Sequence, residues 1–73
     1  MKEKTADEMF EELGYKKSET KDFISYRGKI DSRYGILFDK TDKSIIFDNF
    51  NTIEIGQLQA INKKCQELRW LDD

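Results

Sequence analysis

The sequence has no histidine, no proline and a single cysteine, Cys65. One cysteine closes no internal disulfide, and without histidine a structural zinc site lacks its usual ligands, so no metal site is expected. No apolar run approaches the roughly 18 residues of a membrane-crossing helix, and nothing at the amino end resembles an apolar signal segment. A cytoplasmic protein without a membrane partner is therefore expected. With no proline, no internal repeat and no low-complexity tract to mark a linker, residues 1–73 are predicted to form one domain.

What the chain has in quantity is charge of both signs. Thirteen Lys and Arg face fifteen Asp and Glu, for a formal net charge of −2. The balance divides as −1 over residues 1–21, 0 over 22–48 and −1 over 49–73, so no segment is basic overall. Ile, Leu and Phe number 18 of the 73 residues, which lies above the level of about a fifth where charged chains drift into disorder. A core this small rarely supplies more than ~3–5 kcal/mol, and chains of this size often lean on disulfides, metals or a second subunit. With the first two set aside, a homo-oligomer, in the simplest case a homodimer, is expected.

Thr5-Ala6-Asp7-Glu8 has the form of a capping box, in which the Thr5 hydroxyl and the Glu8 carboxylate satisfy each other's backbone N–H. Ala6, Met9, Phe10 and Leu13 then follow at helical spacing, and Gly14 supplies a stop, which predicts a helix over residues 6–13 with Tyr15 folding back onto its last turn. Phe23–Arg27, Tyr34–Phe38 and Ser44–Phe47 read as three strands whose short connections force antiparallel neighbours. Asp48–Thr52 reads as a loop, with room for a strand fragment at Ile53. Ile55, Leu58, Ile61, Cys65 and Leu68 return to helical spacing and predict a second helix over residues 55–70, opened by a weaker capping pair, Glu54 and Gln57. The predicted fold is α+β: helix, three-stranded antiparallel meander, helix, with the helices packed on the sheet through Met9, Phe10, Leu13, Leu58, Ile61, Cys65 and Leu68.

Catalytic chemistry is scarce. Cys65 falls on the apolar stripe of the second helix and reads as a small buried hydrophobe. Glu8, Glu11 and Glu12 follow a solvated-face pattern. Gly14, Gly28, Gly35 and Gly56 are too scattered to form a phosphate-cradling loop, and Asp39–Asp42 and Asp48–Asn51 lack the central glycine and distal glutamate of a calcium loop. The expectation is a non-catalytic protein with no cofactor.

Two surfaces are candidates for binding. Ile36 and Phe38 point to one side of their strand and Leu37 to the other, while Ile45 and Phe47 oppose Ile46, so both sheet faces carry apolar side chains. Helices on opposite faces would bury both sets. Helices that cover one face would leave some of Ile24, Tyr26, Leu37 and Ile46 bare, the mark of a protein interface. Trp70 either closes the core or adds an exposed anchor to that surface. The alternative is a nucleic-acid surface built from Tyr26, Arg27, Lys29, Arg33 and Tyr34, where aromatics and cations interleave, although an acidic chain without clustered positive charge is poorly suited to phosphate.

The stretch from Thr5 to Lys17, together with Leu58 to Leu68 ending at Trp70, resembles small proteins of unassigned function encoded by phages and prophages of Gram-positive bacteria. The resemblance is carried by the two ends of the chain and leads one to expect glycine where Arg69 stands. It implies an accessory protein made in the bacterial host cytoplasm that acts on host or phage proteins, and it brings no catalytic residues with it.

Overall fold

The computed structural model describes residues 4–71. Helix α1 spans Ala6–Glu12, strands β1 to β4 span Tyr15–Glu19, Phe23–Gly28, Gly35–Asp39 and Ser44–Asp48, and helix α2 spans Ile55–Glu67. The strands form one antiparallel sheet in the order β1-β2-β3-β4. The fold class is thus α+β as expected, with four strands where three were predicted. The fourth is β1, directly after the first helix, and Ile53 stands in a loop.

The capping box forms as predicted: the Glu8 N–H donates to Thr5 Oγ1 at 3.2 Å and the Thr5 N–H donates to Glu8 Oε1 at 2.8 Å. Gly14, at φ 94°, takes the left-handed turn that ends α1 and launches the chain into β1, and Tyr15, the first residue of that strand, folds back onto the last turn of the helix, meeting Phe10 edge-on at 5.9 Å. Thr20 then closes the β1–β2 hairpin, its N–H donating to the Phe23 carbonyl at 2.8 Å and its hydroxyl accepting from the Phe23 N–H at 3.1 Å.

At the start of α2 the Glu54 N–H donates to Gln57 Oε1 at 2.9 Å, while Gln57 Nε2 donates to the Tyr15 hydroxyl at 2.7 Å and so ties the helix to β1. The far end closes three residues before the predicted boundary. Arg69 adopts φ 63° and donates its N–H to the Gln66 carbonyl at 3.0 Å; the Trp70 N–H reaches the Cys65 carbonyl at 2.9 Å. These are the two reversed hydrogen bonds of a Schellman ending. The arginine occupies the left-handed position where the resemblance calls for glycine, and the turn forms regardless.

Pair register sorts the strands into faces. Ile24 lies opposite Phe38 and Phe38 opposite Ile45, while Tyr26 lies opposite Ile36 and Ile36 opposite Phe47. Both helices pack on this one face, where Phe10, Tyr15, Ile24, Tyr26, Ile36, Phe38, Ala60, Ile61 and Cys65 form the core. Phe10 stacks on Tyr26 with ring centroids 3.9 Å apart, and Phe38 meets both rings edge-on. Of the helix residues expected to make this contact, Leu13 and Leu58 stay exposed.

Candidate functional site

With both helices on one face, the other face of the sheet is bare. Its side chains lie in three rows across the strands: Lys16, Arg27, Gly35 and Asp48; Ser18, Ser25, Leu37 and Ile46; Phe23, Asp39 and Ser44. In the first row Arg27 lies across β3 and donates to Asp48 Oδ2 at 2.8 Å and to the Ser32 carbonyl at 3.2 Å. Gly35 lets it pass, since a Cβ there would stand 3.0 Å from the guanidinium. In the third row Asp39 turns to its own hairpin and accepts from the Thr41 and Asp42 N–H groups. Leu37 and Ile46 are left between these polar ends, Leu37 half-buried and Ile46 44% exposed, with Phe23 on the diagonal.

Leu37 and Ile46 are therefore where the bare-face expectation places them, but the rest of that set is not. Ile24 and Tyr26 are 3% and 1% exposed and belong to the core. They share the parity of Phe38 and Ile36, the strand residues directly opposite them, and so face the helices. Trp70 packs at 6.0 Å against Phe38 and closes the core edge. Phe23 joins the bare face unforeseen, although its alternation with Ser25 and Arg27 carried the signal.

The five residues of the nucleic-acid alternative are not gathered on one surface. Tyr26 is buried, Arg27 is engaged by Asp48, and Arg33 is paired with Asp31 at 2.9 Å. Lys29 and Arg27 border a groove of about 450 Å³ beside Lys16 and Lys17. Tyr34 instead packs at 5.6 Å on Phe50, in an aromatic group with Tyr15 and Phe47.

The densest polar cluster lies on the helix side of β1. Asp7 accepts from the Tyr26 hydroxyl at 2.5 Å, from Lys17 at 3.0 Å and from Lys64 at 3.4 Å. Lys64, with a side chain only 8% exposed, also lies 3.9 Å from Glu67, whose carboxylate accepts the Ala6 N–H at 2.8 Å. Burial works to raise the Asp7 carboxyl, but the hydrogen bonds from Tyr26 and Lys17, with the charges of Lys64 and Lys17, hold it below its ordinary value. Burial, then the bond to Asp7, pushes the Tyr26 hydroxyl well above its own. Every strong donor in the cluster is already engaged. Its work is to fasten α1, α2, β1 and β2 together.

Burial likewise raises the Cys65 thiol. Among the described residues no group of three or more His, Cys, Asp or Glu is placed to hold a metal ion, and no helix is long and apolar enough to cross a membrane.

Fold and site together define a small α+β protein with a half-covered antiparallel sheet. Compared with known proteins, the chain matches no family model, no curated protein and no solved structure.

Proposed function

We propose that this chain is a non-catalytic accessory protein of the phage or prophage type, working in the host cytoplasm by protein–protein contact and associating with itself. The observation that carries the reading is the placement of both helices on one sheet face, which leaves Leu37 and Ile46 in the middle of the other. Apolar side chains grouped on an open face lose water only when another surface covers them, and that gain is the ordinary driving force of association.

The test is affinity capture from a Gram-positive host lysate with the wild-type protein and with Leu37→Lys, read by mass spectrometry. A partner held by the wild type and lost from a variant with unchanged circular dichroism supports the reading. Equal capture by both removes the bare face from the function.

A further inference from the structure

We propose that two copies of this chain join through β4, antiparallel about a two-fold axis at Ile46, to make one eight-stranded sheet. The proposal rests on the self-association put forward above and names the surface that performs it.

β4 is an edge strand, and its free edge carries usable hydrogen-bonding groups. In the β2–β3 ladder the Lys40 N–H donates to Asp22 and the Gly28 N–H to Tyr34, so the even-numbered residues of β3 turn their backbone groups to β2. Its odd residues, Gly35, Leu37 and Asp39, serve β4 through Asp48, Ile46 and Ser44. Ile45 and Phe47 are left with N–H and C=O directed away from the sheet. A second β4 offers the same two residues.

Only one register uses them without conflict. Centred on Ile46, each Ile45 faces Phe47 of the second copy and exchanges both backbone hydrogen bonds with it. Ile46 then meets Ile46 on the bare face, and Ser44 meets Asp48. Sliding by one residue turns the outward groups of one strand against residues whose groups are already used. Sliding by two in one direction sets Asp42 against Asp48, and in the other sets Asp48 against Ile46, so like charges or an apolar mismatch penalise both. Lys43 and Asn49, at φ 55° and 65°, bend the chain at either end of the strand and confine the pairing to this stretch.

The side chains fit a covered edge. Phe47 is 38% exposed on the helix side of β4, and Leu58 on α2 is 51% exposed. The opposite edge is less suited to the same arrangement, because two copies of β1 paired about its centre would set Lys17 against Lys17.

The test combines sedimentation with cysteine cross-linking, in full-length protein carrying Cys65→Ala. Directly opposed residues of a non-hydrogen-bonded pair have Cα atoms about 4.5 Å apart, within disulfide reach. Ile46→Cys is expected to cross-link on mild oxidation. Leu37→Cys, about 14 Å from its counterpart across three strand spacings, is not. Phe47→Pro removes an outward N–H that the β3–β4 ladder does not use. It is expected to weaken the dimer about thirtyfold through two lost hydrogen bonds, with circular dichroism unchanged. Phe47→Lys serves as a second edge variant should the proline disturb the fold. A dimer that cross-links through Leu37→Cys and ignores both Phe47 variants overturns the edge pairing while leaving self-association through the bare face standing. A strict monomer overturns both, and masses climbing beyond the dimer overturn the two-fold arrangement.

Discussion

β1 and β4 border the same sheet but are built from different chemistry. β1 carries Lys16, Lys17, Ser18 and Glu19 beyond its one buried residue, Tyr15, and Lys17 is held by Asp7 and Glu19. β4 carries Ile45, Ile46 and Phe47 in a row, without a charge between Ser44 and Asp48. Charged residues, lysine above all, are the usual means of keeping an edge strand from templating another chain. One edge is thus defended and the other left open, on a sheet that is also covered on only one face. The asymmetry teaches that an unguarded edge in a small chain is read best against its guarded counterpart.

The largest effect is expected on the guarded side. Asp7→Ala removes the acceptor shared by Tyr26, Lys17 and Lys64, and leaves the nearly buried Lys64 ammonium with the more distant Glu67 carboxylate and the face of the Tyr26 ring. Urea denaturation should register a loss of about 2–3 kcal/mol, while self-association through β4 persists. If association is lost in parallel while the protein stays folded, the two edges are not independent.

The same carboxylate gives the fold a pH signature. Its folded value lies below the ordinary 3.8, so its contribution is complete above that pH and disappears as the pH falls through the folded value. The melting temperature of the wild type should therefore drop more steeply than that of Asp7→Asn once the pH falls below about 4. At the alkaline end the sign reverses. The Tyr26 and Tyr15 hydroxyls are both raised above the ordinary 10.0, so stability is lost as the pH climbs past that value.

A milder change makes β1 resemble β4. Lys17→Ile costs about 1 kcal/mol or less, because the ion pairs it gives up are largely exposed. It should, however, introduce association beyond the dimer, seen as a rising weight-average mass in sedimentation. An unchanged mass would show that Lys16 and Glu19 suffice to guard the edge. The smallest effect is expected from Gly35→Ala, whose Cβ displaces Arg27 from its path to Asp48. Stability should move by about 0.5 kcal/mol, with the β4 edge left as open as before.

The helices were legible in the sequence because their signals are local: the Thr5–Glu8 box, Gly14 and the spacing of Ile61, Cys65 and Leu68 all act within a turn or two. The division of β3 and β4 into two faces was legible from alternation alone. β1 was not, because Tyr15-Lys16-Lys17-Ser18-Glu19 buries one residue and alternates in nothing; Lys17 points to the helix side yet is polar, since its partner there is Asp7. Ile24 and Tyr26 were assigned to an open surface for want of a register, which pairing with Phe38 and Ile36 supplies. Arg69 shows the opposite failure. Its sequence argues against the left-handed turn that it makes, and the two hydrogen bonds back to α2 together with the docking of Trp70 outweigh that preference.

The Schellman turn at Arg69 also equips the protein with an optical reporter. It delivers the chain's one indole to the rim of the aromatic layer, 6.0 Å from Phe38 and on the far side of the sheet from Leu37. Emission from that ring should follow the opening of the helix layer and stay silent to whatever docks on the bare face. Unfolding and recognition can then be watched separately, in the same cuvette, without a label.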